Sequence, residues 1–141
     1  MIISAIVLTI ISNVFYHLVQ KVTPQQANPV LSLAVSYLAA AVICIGLLAV
    51  FPLEVSWRES LGQLNWTSLV LALAIVGLEV GFLLAYRSGW NLSLAALVSN
   101  TAVALVLLPI GLQFFREKLT HVNIAGVLVT IVGLVLVNWK N

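Results

Sequence analysis

Five long apolar stretches constrain the fold of this chain more than any other feature of its sequence. A helix that crosses the hydrocarbon core of a bilayer needs about 20 mostly apolar residues. Five such helices leave no room for a soluble domain in a chain of 141 residues. We therefore predict an all-α integral membrane protein, a single domain of five transmembrane helices. The predicted spans cover residues 2–20, 30–53, 67–86, 92–115 and 122–139.

The composition excludes most other classes of protein. Hydrophobic residues make up 62% of the chain and charged residues 7%, whereas about 25% of a soluble chain is charged. This excludes a soluble enzyme, a disordered chain and a nucleic-acid binder. Cys44 is the single cysteine, and the two histidines, His17 and His121, lie far apart. We expect neither a metal site nor a cofactor.

The connections between the spans are short, apart from residues 54–66. Ser56 and Glu59 have the spacing of a capping box, and Trp57 and Leu61 share one helical face. This pattern predicts a short helix lying in the membrane interface. An irregular loop is the alternative.

The basic residues give no preference for one orientation in the membrane, although their distribution between loops normally sets it. No Lys or Arg precedes Lys21, so we expect the first span to be retained rather than cleaved as a secretion signal. The loops on the N-terminal side carry Arg58, Arg116 and Lys118, and those on the other side carry Lys21, Arg87 and Lys140.

This balance predicts insertion in both directions. Two oppositely inserted copies of a five-span chain would be related by a two-fold axis in the membrane plane, which is the inverted-repeat architecture of many transporters. We therefore hypothesise an antiparallel homodimer of ten spans. The alternative is that an even count among six basic residues is an accident of small numbers.

Glu79 is the candidate functional residue of greatest interest. It lies near the middle of the third span, where an ionised carboxylate costs at least roughly 2.5–3.5 kcal/mol. Glu79 must therefore be protonated, face a wet cavity, or pair with another helix or a bound cation. We favour a proton and cation site over a hydrogen-bonded structural role.

The glycines of the same span predict how it is rotated. Gly77 and Gly81 form a GxxxG pair on a face almost opposite Glu79, and such a face permits close contact between helices. Glu79 then points away from that contact. The predicted pocket wall beside it consists of Ile75, Phe82, Leu83 and Tyr86.

Other polar residues within the spans are candidates for the same site or for packing. Polar residues inside a bilayer should face protein or water. On the first span we predict a polar stripe, in which His17 could instead lie at the interface: Asn13, Tyr16, His17 and Gln20. On the fourth span, Asn100 either contacts substrate or bonds a neighbouring helix. On the second span we predict packing roles for Ser32 and Ser36.

The fifth span carries a stripe of small residues and few polar ones. Gly126 and Gly133 are seven residues apart, with Thr130 between them on nearly the same face. Together with Gly77 and Gly81, they are predicted to form helix-packing or dimer seams.

The stretch from Gly77 to Val137 resembles the second half of an EamA-type domain of the drug/metabolite transporter superfamily. The most specific part is the turn Glu117-Lys118-Leu119-Thr120, with Gly126 and Gly133 following it. The resemblance covers about 60 residues clearly and extends loosely to the whole chain through the order of five spans. It implies transport of small metabolites or drugs by one half of an inverted-repeat fold.

The chain departs from the family pattern in two respects. Family members usually carry two inverted five-helix repeats, whereas this sequence has one. The smaller four-helix exporters of the superfamily, which it also resembles in size, place an essential acid on their first helix. The first span here has no acid, so their site cannot be transferred residue by residue.

The function that we predict is secondary transport, coupled to protons and carried out by the antiparallel homodimer in the cell (plasma or inner) membrane. Its expected partners are the lipid bilayer, protons and a small-molecule substrate, for which a cation would suit Glu79. The alternative is a membrane subunit without transport of its own that pairs with an oppositely oriented partner. An enzyme is disfavoured, because the sequence shows no nucleophile motif or paired carboxylates.

Overall fold

The computed structural model describes residues 2–139 and consists of helices joined by short connections. Five of the helices are long and apolar enough to cross a membrane. The chain is therefore an all-α, multi-pass membrane protein, as predicted. The helices are α1 (Ile2–Val22), α2 (Pro29–Leu47), α3 (Trp57–Gly62), α4 (Trp66–Arg87), α5 (Leu92–Phe114) and α6 (His121–Asn138).

Side-chain caps fix where three of the long helices begin. The Asn28 side chain accepts a hydrogen bond from the Leu31 amide and is followed by Pro29, which suits the first turn. Asn65 caps α4 through the Thr67 amide. Thr120 caps α6 in the same way.

The short helix expected between the second and third spans is confirmed. Ser56 accepts from the Glu59 amide, and the Glu59 carboxylate accepts from the Ser56 amide, so both halves of the capping box form. Because these hydrogen bonds favour the charged carboxylate, the Ser56 side chain and backbone hold the pKa of Glu59 below its ordinary value.

The predicted second span was too long at its C-terminal end. α2 ends at Leu47, and the next residues form turns instead of reaching residue 53. Pro52 explains this difference, because a proline disfavours helical geometry in the residue before it and offers no amide hydrogen to a helix. At about 1.5 Å per residue, the 19 residues of α2 still cover nearly the whole hydrocarbon thickness.

The chain divides into two compact units, of which the first ends at Ser88. In this unit α4 packs against both α1 and α2. The buried side chains lie near the α1–α2 connection: His17, Gln20, Leu33, Leu83 and Tyr86. The rest of the long-helix surface is mainly exposed apolar side chains, as suits contact with lipid.

The second unit is the pair α5 and α6, which pack against each other. α5 continues through Pro109 and ends in a tight reversal. There Arg116 adopts a positive φ of 54°, and the Gly111 carbonyl accepts from the amides of Phe115 and Glu117. The Glu117 carboxylate folds over Gly111, in the space that a Cβ at residue 111 would need.

Candidate functional site

Glu79 lines an open cavity of about 310 Å³ between α1, α2 and α4. As the fourteenth residue of a 22-residue helix, it lies about 4 Å along the axis from the centre of α4. Its side chain is half-buried. The other polar residues that line the cavity are Tyr16, Gln20, Thr23, Ser32 and Ser36, and the apolar ones are Phe15, Val19, Leu33 and Leu83.

The polar stripe of α1 is divided between the cavity and the contact with α4. Tyr16 and Gln20 line the cavity beside Glu79. His17 is buried at 7% exposure, and its Nδ1 lies 2.8 Å from the Tyr86 hydroxyl. Asn13, one turn further from the loop, is half-buried but does not line the cavity.

Aromatic rings fill the contact between α1 and α4. The ring of Phe82 lies edge-on to His17, with centroids 4.6 Å apart, and edge-on to Tyr16 at 5.9 Å. Tyr86 stacks on Phe82 at 6.0 Å. The Lys21 ammonium lies 5.5 Å from the centroid of the Tyr86 ring, within the range of a cation–π interaction. Phe82 and Tyr86 thus support α1 beside the cavity.

Two phenol hydroxyls of the first unit, one on α1 and one on α2, are shielded from solvent. The hydroxyls of Tyr16 and Tyr37 are buried, and neither forms a hydrogen bond of standard geometry within residues 2–139. Tyr16 lies beside the Gln20 side chain. A buried hydroxyl without a partner is costly. Tyr16 lines the cavity, whereas Tyr37 is not one of its lining residues.

Of the residues predicted for the site, Glu79 and Tyr16 line the cavity, whereas Asn13, His17, Tyr86 and Asn100 do not. Ser32 and Ser36, for which packing roles were predicted, also line the cavity. A weak signal existed, since Ser32 and Ser36 are four residues apart and share one face of an apolar helix.

The remaining candidates are not among the residues that line this cavity. Asn100 belongs to the second unit, where its side chain is exposed. A Cβ added at Gly77, Gly81, Gly126 or Gly133 would meet no atom within 4 Å in the described part of the chain. Thr130 donates to the Gly126 carbonyl at 2.9 Å within its own helix. The packing or dimer seams therefore stay predictions.

The described residues contain no group of three or more His, Cys, Asp or Glu side chains that could hold a metal ion. Comparisons with protein-family models, with curated proteins and with solved structures find no match.

Proposed function

We propose that this multi-pass membrane protein is a secondary transporter of small metabolites or drugs, coupled to protons. In this proposal two copies inserted in opposite directions form the working unit, and access to the site alternates between the two faces. The resemblance of residues 77–137 to EamA-type domains implies the same class of activity. The cell (plasma or inner) membrane is the proposed location, and no enzymatic activity is proposed.

The observation that carries the proposal is the position of Glu79 in the cavity. A carboxylate near the middle of a span is costly unless it is protonated or paired. The cavity offers it room for a guest, together with hydroxyl and amide groups from α1 and α2. A cation bound there would displace the proton of Glu79, and a returning proton would release the cation. That competition couples the two fluxes.

The balance of basic residues supports the antiparallel arrangement. The loops on each side of the membrane carry three Lys or Arg residues, so neither orientation is favoured. Opposite insertion would bring two copies of Glu79 to a similar depth and provide the second five-helix repeat. A subunit that pairs with an oppositely oriented partner would instead insert in one direction.

The test is proton flux in proteoliposomes made with wild-type protein and with the Glu79→Gln variant. An internal pH dye reports proton movement when tetramethylammonium, choline or spermidine is added outside, across an imposed pH gradient. We expect at least one cation to drive proton movement through the wild type and none to do so through Glu79→Gln. Glu54→Gln is the matched control, because Glu54 is exposed and lies outside the long helices.

Two results would count against the proposal. Wild-type flux in the Glu79→Gln variant would exclude Glu79 as the coupling site. Equal loss in Glu54→Gln would show that the defect does not depend on the cavity. Insertion and monodispersity of each variant are measured first, so that a folding failure is not counted as a transport defect.

A further inference from the structure

The packing of the first unit is concentrated at one end of its helices. The side chains buried in this unit lie in the last two turns of α1 and α4 or in the first two turns of α2. At the other end, the described side chains of the three helices are half-buried or exposed. The close packing of α1, α2 and α4 is therefore found beside the α1–α2 connection.

Arg87, at the C-terminal end of α4, holds that connection in place. Its Nη2 donates hydrogen bonds to the carbonyl oxygens of Pro24 and Ala27, at 3.0 and 2.8 Å. The Ala27 amide in turn donates to the Pro24 carbonyl at 3.1 Å, so both acceptors belong to one turn. A guanidinium suits this role, because its planar fork presents several donors in fixed directions.

Tyr86, the preceding residue, ties α4 to α1 at the same level. Its hydroxyl lies 2.8 Å from Nδ1 of His17, and the Lys21 ammonium lies over its ring. Tyr86 therefore contacts the helix α1, and Arg87 contacts the loop that follows α1.

The Glu79 cavity extends to the end of the three helices that lies beside the α1–α2 loop. Thr23, the first residue of the loop, and Leu83, one turn before Arg87, both contribute to its lining. Phe15 and Val19 line the cavity as well, but they are 63% and 61% exposed. The lining is therefore buried at Gln20, Leu33 and Leu83, close to the loop end of the helices, and exposed at Phe15 and Val19.

We propose that Arg87 is a latch, which keeps the loop end of the Glu79 cavity closed by holding the Pro24 and Ala27 carbonyls. Its release opens this end of the cavity to the aqueous face next to the loop. The proposal rests on the proposed transport function, for which it names one of the two gates. Tyr86 and His17 form the hinge side, which stays packed while the loop moves.

The test measures how fast a thiol inside the cavity reacts with a polar reagent. Cys44→Ser removes the native thiol, and Ser32→Cys places one in the cavity, in the first turn of α2. The protein is held in lipid nanodiscs and treated with the trimethylammonium-ethyl methanethiosulfonate reagent. Because the latch consists of charge-assisted hydrogen bonds, we expect Arg87→Gln to raise the reaction rate about ten- to a hundredfold.

Matched variants separate a latch from general loosening. Arg58→Gln makes the same change on the exposed helix α3 and should leave the rate unchanged. A reference thiol introduced by Gln63→Cys, in the connection after α3, should react equally fast with and without Arg87. Arg87→Lys keeps the charge but not the fork, so its rate should lie between those of the wild type and Arg87→Gln.

The latch proposal is overturned if the thiol at residue 32 reacts at the same rate with and without the Arg87→Gln substitution. It is also overturned if Arg58→Gln raises that reaction rate as much as Arg87→Gln does. If Arg87→Gln does not fold, the test uses Arg87→Lys instead. A thiol at residue 32 that reacts as fast in Arg87→Lys as in the wild type then overturns the proposal. The assay needs no substrate. A failure of the transport proposal, seen as normal flux in Glu79→Gln, is therefore distinguishable from a failure of the latch.

Discussion

The hydrogen bond between Tyr86 and His17 gives the most quantitative prediction about the packing of the first unit. Both side chains are buried, at 4% and 7% exposure, and 2.8 Å separates the hydroxyl from Nδ1. Tyr86→Phe keeps the ring stacked on Phe82 and removes only the hydroxyl. His17→Phe keeps an aromatic ring beside Phe82 and removes the nitrogen.

The expected size of the effect follows from burial. Leaving one buried polar group unsatisfied costs about 1–3 kcal/mol. Within membranes, coupling energies between hydrogen-bonding side chains average about 0.6 kcal/mol and reach about 1.7. Because neither Tyr86 nor His17 is accessible to water in the packed unit, we expect a coupling free energy in the upper half of that range, about 1–1.7 kcal/mol.

A double-mutant cycle measures this coupling. The free energy of unfolding is determined for the wild type, both single variants and the double variant, by titrating SDS into mixed micelles and following tryptophan fluorescence. The double variant should be destabilised by clearly less than the sum of the single variants. Strict additivity, within about 0.3 kcal/mol, would refute the conclusion that this hydrogen bond fastens α1 to α4.

Two further predictions concern single turns. Gly111→Ala should leave the free energy of unfolding unchanged or raise it by up to about 1 kcal/mol, because alanine favours a helix over glycine and its Cβ would meet only the carboxylate end of the flexible Glu117 side chain, which can rotate away; a clear loss of stability in a thermal unfolding assay would contradict this. Ser56→Ala should raise the pKa of Glu59 towards its ordinary value of 4.5, measured by NMR titration. Because the pKa of Glu59 is lowered in the folded chain, its capping contribution is present above pH 4.5 and is lost as the pH falls through the lowered pKa. An unchanged pKa in Ser56→Ala would contradict the capping box as its cause.

The sequence was sufficient to predict the helices, because each long span is recognisable from its own residues. The short α3 was also predictable, since Ser56 and Glu59 form a local capping box. The end of α2 was misplaced because the apolar run continues past the helix. The backbone restriction imposed by Pro52, rather than hydrophobicity, decides where that helix stops.

The site was predicted less completely, for a geometric reason. Periodicity shows which residues share a face of one helix, but not which face of a neighbouring helix lies opposite. Glu79 was identifiable because a mid-span carboxylate needs an explanation wherever it faces. That Ser32 and Ser36 line the same cavity as Glu79 follows from the packing of α2 against α4. The partners of Arg87 follow from the position of the α1–α2 loop.

Long-range packing also separates residues that look equivalent in sequence. Asn13 and Gln20 belong to one stripe of α1, but only Gln20 lies where α1 meets the other two helices and lines the cavity. Gly77 and Gly81 lie on the face of α4 almost opposite Glu79. Glu79 is half-buried, whereas a Cβ added at either glycine would meet no atom within 4 Å among the described residues.

The orientation of the chain in its membrane tests the central claim, two oppositely inserted copies around Glu79, most directly. Cys44→Ser removes the native thiol and Asn141→Cys places one at the C-terminus, and intact cells are treated with a membrane-impermeant thiol reagent before and after lysis. Labelling of about half of the protein before lysis, and of the rest only afterwards, is the result expected for equal numbers of basic residues on both sides. Labelling that is complete before lysis, or absent until lysis, would show a single orientation and contradict the antiparallel homodimer.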